Sequence, residues 1–140
     1  GLSPVSVASL VWRLNCALIA SLIIGLERET KEKSAGLRTN LLVGLGSALV
    51  ILVPIQTGAI QASVDVFGRA LQGVMTGAGF VGAGTVFSED RVHGLTSAAA
   101  IWVSAALSIA AACGQWQLSL SGAAIAWIML RLLDRAEKLI

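Results

Sequence analysis

Apolar residues run in five long stretches along the chain, at residues 5–26, 39–57, 69–87, 95–113 and 116–133, with short polar connections between them. Each stretch is near the about 20 mostly apolar residues that a helix needs to cross the hydrocarbon core of a bilayer. Lipid cannot satisfy open backbone groups, so only helices or a closed barrel can span it. No alternating ten-residue pattern of barrel strands is present. The pattern predicts an all-α membrane protein, a single transmembrane domain over residues 1–140 with five transmembrane helices.

Composition agrees with that picture. The 140 residues are 56% hydrophobic and 13% charged, against about 25% charged in a typical soluble domain. Mean hydropathy is +0.82. The net charge of +2 says less than its distribution. Arg28, Lys31, Lys33 and Arg38 fill the first connection, Arg91 and His93 the third, and Arg131, Arg135 and Lys138 the C-terminal tail. The second connection has only Arg69, at its helix end, and residues 114–119 have no charge. Basic connections mark the cytoplasmic side. The N-terminus is therefore expected outside and the C-terminus in the cytoplasm. Trp12 and Trp116 fall near the outer ends, where interfacial aromatics gather, and Trp102 and Trp127 fall mid-span as packing residues. Cys16 and Cys113 sit in apolar context as small buried side chains. One histidine is too few for the usual Cys/His zinc site.

The chain also echoes itself. Arg13, then Gly25-Leu26-Glu27-Arg28-Glu29, then Gly36-Leu37-Arg38-Thr39 are answered by Arg69, then Gly82-Ala83-Gly84, then Glu89-Asp90-Arg91, then Gly94-Leu95-Thr96-Ser97. Two parallel hairpin repeats plus a fifth helix is one reading, as in transporters built from parallel repeats. A chance likeness of two membrane hairpins is the other.

Arg13 is the most informative residue. An arginine inside a span costs at least about 2.5 kcal/mol and normally meets a partner or a polar cavity. The alternative is that it snorkels to the outer headgroups. Asp65, one helical turn before Arg69, is the acid available on the outer side for either arginine. On the inner side Glu27, Arg28, Glu29, Arg38, Glu89, Asp90, Arg91 and His93 form a charged constellation. Its four acids, Glu27, Glu29, Glu89 and Asp90, are oxygen ligands of the kind magnesium prefers. A solvated loop with ion pairs accounts for them equally.

The third stretch carries Gly73, Gly77, Gly79, Gly82 and Gly84. Its Gly77-Ala78-Gly79-Phe80-Val81-Gly82 imitates a dinucleotide fingerprint, but that motif needs a preceding strand. Gly73 and Gly77 make a small-xxx-small step for close helix packing, for which the serines and alanines of the fourth stretch offer a partner face. A locally unwound backbone lining a polar pocket is the alternative. Asn15 and Asn40 are candidates for interhelical hydrogen bonds. No Ser/His/Asp triad, metalloprotease motif or phosphate-binding loop is present, so no enzyme is expected.

These motifs together resemble the MgtC/SapB family. Arg13-Leu14, Gly25 to Glu29 and Ala35-Gly36-Leu37-Arg38-Thr39 look like its opening motif. Arg69, Gly79 to Gly84, Val92, Gly94 to Ala99 and Trp102-Val103 look like its second. The resemblance implies a multi-pass protein of the bacterial inner membrane, tied to magnesium limitation and to intracellular survival of pathogens. It also implies a membrane partner, since some members are described as restraining the rotary ATP synthase. Many members carry a soluble C-terminal cytoplasmic domain, which is expected to be absent, or cut away, from a chain that stops at Ile140 just after its last helix.

Two functions follow. The first is a regulator for adaptation to low magnesium, acting through a membrane partner. The second is a transporter or channel for magnesium or another small solute, with Arg13 and Asp65 at the outer entrance and the four acids at the inner one. Functional candidates are Arg13, Glu27, Arg28, Glu29, Arg38, Asp65, Arg69, Asp90 and Arg91. The expected partners are the bilayer, a second copy of the chain and the ATP synthase, with no nucleic acid and no cofactor other than magnesium.

Overall fold

The computed structural model describes residues 2–86 and 94–139. Its regular elements are all helices: α1 (Val7–Thr30), α2 (Leu37–Gln56), α3 (Ala59–Ala62), α4 (Asp65–Gly84), α5 (Leu95–Ala112) and α6 (Trp116–Leu139). Four of them are long and apolar enough to cross a membrane: α1, α2, α5 and the part of α6 from Trp116 to Ala136. Among the described residues α4 is not in that set, although it is as long as α2. Arg69, Gln72 and its glycines dilute the apolar content of the third stretch.

The helices outrun the apolar stretches at three places. α1 continues through Glu27, Arg28 and Glu29, which were expected in a connection. α4 begins at Asp65 rather than Arg69, so both residues lie on a helix, with Asp65 in the first turn. A carboxylate there meets the positive end of the helix dipole. α6 carries Asp134 and Arg135 as helix rather than as tail. Glu and Arg are good helix formers and Asp65 sits in the first turn, where a carboxylate is favoured, so in each case only the apolar pattern stops.

α1, α2 and α5 pack against one another as a three-helix core, with α4 against α5 and α6 against α1 and α5. Small residues let the backbones approach. A methyl on Gly44 of α2 would collide with the Ser21 hydroxyl of α1, and would lie 2.9 Å from the Ser108 hydroxyl of α5. Ser21 and Ser108 hydrogen-bond each other at 3.1 Å. One turn from Gly44, Asn40 is fully buried and donates to the Ala35 and Gly36 carbonyls, while Ser104 Oγ donates to its Oδ1 at 2.7 Å. These rungs satisfy polar groups where water is excluded.

The buried stripe of α4 is Val74, Ala78 and Gly82. Gly82 lies against Ala98 of α5, as the small-residue packing expected. Among the described residues Gly73, Gly77, Gly79 and Gly84 have no such neighbour within 4 Å of where a methyl would sit. The contact expected of the Gly73–Gly77 step is therefore made one residue further along. One residue is about 100° of helix rotation, enough to turn the glycines to the outside.

Candidate functional site

Four of the functional candidates, Arg13, Glu27, Arg28 and Glu29, lie toward the two ends of α1. At the first end Arg13 is 6% exposed. Its Nη1 donates to the Ala112 carbonyl at 2.8 Å, across to the last residue of α5. That carbonyl is one of the four a helix leaves unpaired at its C-terminus, and the partial negative charge there suits a cation. Gly114 follows with φ +83, and a methyl on it would sit 3.0 Å from Arg13 Nη2. Nearby elements close the same end. Val5 and Gln56 exchange two hydrogen bonds, at 2.8 and 3.1 Å. Trp12 meets Trp116 edge-on with ring centroids 6.0 Å apart. Asp65 and Arg69 are exposed on α4 and join no ion pair among the described residues.

At the other end Glu27 and Arg28 are 1% and 4% exposed. Arg28 Nη1 lies 3.5 Å from Glu27 Oε2, and Nη2 donates to Ser97 of α5 at 3.2 Å. Arg28 Nε is buried with no hydrogen-bond partner. Glu29 does something different from its neighbour. Its Oε1 accepts from the Leu37 backbone N–H at 3.0 Å, capping the first turn of α2. A side chain on Gly36 would displace that carboxylate. Lys31 Nζ reaches Asp134 of α6 at 2.6 Å. Arg38 is exposed.

A cavity of about 500 Å³ opens here between α1, α5 and α6. Glu27, Arg28, Lys31, Lys33 and Asp134 line one part of it, and Ile24, Val103 and Leu130 the apolar remainder. Sequence reasoning missed Lys33 and Asp134 as members of one site, since they are brought together only by the packing of α6 on α1. It also missed Gly44 and the capping role of Glu29.

The expected four-acid magnesium set is not assembled by its described half. Glu27 is turned to Arg28 and Glu29 to the α2 N-terminus. Among the described residues no three His, Cys, Asp or Glu side chains converge as metal ligands. Glu89, Asp90, Arg91 and His93 lie outside the described residues.

Residues 14–139 match the model of the MgtC family. Protein SrpB of Synechococcus elongatus is 42% identical over 81% of this chain and 68% of its own length. The putative magnesium transporter YhiD of Escherichia coli K12 is 39% identical over 88% of this chain and 60% of its own length. Protein MgtC of Salmonella typhimurium is 37% identical over 82% of this chain and 48% of its own length. The chain thus spans between about half and two thirds of the curated relatives it matches. No solved structure matches.

Proposed function

The chain belongs to the MgtC family, and on that premise we propose that it is a multi-pass inner-membrane protein regulating adaptation to low magnesium through a membrane partner. In this reading α4 is a fifth span, the N-terminus faces outward and the basic connections face the cytoplasm. The partner that the family resemblance suggests is the rotary ATP synthase. The glycine face of α4, where a methyl at Gly73, Gly77 or Gly84 would meet none of the described residues, is the surface left for a partner helix or a second copy.

The observation that carries the regulatory reading over the conducting one is where the acids fall. No Asp or Glu occurs at residues 1–26, 33–64, 66–88 or 91–133. Magnesium binds through oxygen ligands with one or two carboxylates and loses its water reluctantly, and ion pathways through a membrane are marked by ionisable side chains. Here the interior polar groups Ser21, Asn40, Ser104 and Ser108 hydrogen-bond one another across the three-helix core. Arg13 holds the end of α5. The name of the relative YhiD, a putative magnesium transporter, favours the conducting alternative.

The test is growth at limiting magnesium of a bacterium lacking its own MgtC-family protein, with and without this chain, while isotopic magnesium uptake is followed. The regulatory reading expects growth to recover with uptake unchanged. Recovery in proportion to increased uptake would replace it with the transporter.

A further inference from the structure

We infer that the cavity between α1, α5 and α6 binds one anionic phospholipid of the cytoplasmic leaflet. This goes beyond the magnesium reading and depends only on the orientation set by the basic connections.

Two of the walls turn from apolar to charged in the same direction. From α1 into its C-cap the lining passes from Ile24 to Lys31, while along α5 it passes from Val103 to Thr96 and Leu95. Along α6 it passes from Ala126 to Asp134, a run of about 12 Å at the helical rise per residue. One end of the cavity is therefore hydrocarbon and the other is charged. That gradient matches an acyl chain joined to a headgroup, and it matches neither a free ion nor a wholly apolar ligand.

Among the described residues the polar end is lined by three basic side chains, Arg28, Lys31 and Lys33, and two acidic ones, Glu27 and Asp134. Glu27 is held by Arg28 and Asp134 by Lys31. Lys33 is exposed and has no acidic partner among the described residues, and Arg28 also lines the cavity. Phosphate oxygens fit the arginine fork closely. Basic pockets between membrane helices on the cytoplasmic side hold anionic headgroups in this way. A zwitterionic lipid would bring its own cation to a site that already has a surplus.

The test is native mass spectrometry of the detergent-solubilised chain with added phosphatidylglycerol, phosphatidylcholine or inorganic phosphate. Lys33→Gln and Ala99→Leu are compared with the unaltered chain. Both positions are exposed and line the cavity, so neither change threatens the fold. One phosphatidylglycerol per chain is expected to be retained in preference to phosphatidylcholine. Lys33→Gln should weaken it about fivefold at low salt, the effect of one basic residue near an anionic headgroup. Ala99→Leu should weaken it by filling the apolar part. Equal retention of the two lipids would overturn the inference, and so would phosphatidylglycerol binding that neither variant alters. Inorganic phosphate displacing the lipid at equal concentration would also overturn it, because the apolar walls would then contribute nothing.

Discussion

Arg13 and Arg28 stand near opposite ends of α1, both more than nine-tenths buried, and their surroundings differ. Arg13 is aimed at a backbone carbonyl at the end of α5, beside a glycine whose positive φ carries the turn into α6. Arg28 meets one carboxylate at the long distance of 3.5 Å and one serine hydroxyl, and its Nε is buried without a partner. The first is placed as a staple between helices. The second retains hydrogen-bonding capacity that the fold does not use. Burial alone would rank the two alike, and the partners separate them.

The largest expected effect is at the staple. Arg13→Gln should lower the stability of the detergent-solubilised protein by about 3 kcal/mol, since a hydrogen bond from a buried charge is lost and a helix-end carbonyl is exposed. A loss as small as that expected of Ser97→Ala at the Arg28 end would break the comparison. Midway between the two arginines, Gly44→Ala should cost about 2 kcal/mol by overpacking the α1–α2–α5 crossing, read from the shift in the denaturant midpoint. Its partner change Ser21→Ala should recover part of that loss, because the collision is with the serine hydroxyl. Smallest is Ser97→Ala at the Arg28 end, at about 1 kcal/mol, because it removes one hydrogen bond and leaves the buried Glu27–Arg28 pair in place. Thermal unfolding in one detergent would compare the three on one scale.

Much of this organisation is legible in the sequence. The apolar stretches mark the long helices, and the Gly36-Leu37 and Gly94-Leu95 restarts mark where α2 and α5 begin. Arg13 is recognisable as a buried cation because an arginine inside an apolar run has few other ways to exist. What the sequence hides is rotation and partnership. Gly73 and Gly77 look like a packing step, yet α4 turns Val74, Ala78 and Gly82 inward instead. The signal that could have placed the buried face is the polar stripe Asp65, Arg69, Gln72 and Thr76, which lies opposite Val74 and Ala78. Glu27 and Glu29 read as a pair of ligands, but two residues apart on a helix they point to different sides, one to Arg28 and one to the α2 N-terminus. Gly44 gives no local signal, because its role exists only where three helices cross.

The central claim is that this helical core is closed to magnesium and serves regulation instead. The most direct measurement is magnesium entry into proteoliposomes that contain the chain and an internal magnesium-sensitive dye. The account predicts entry no faster than in protein-free vesicles, from protein whose helical content is intact. Saturable entry that scales with the amount of protein would contradict it and make a conduit of a core whose buried carboxylate, among the described residues, is Glu27.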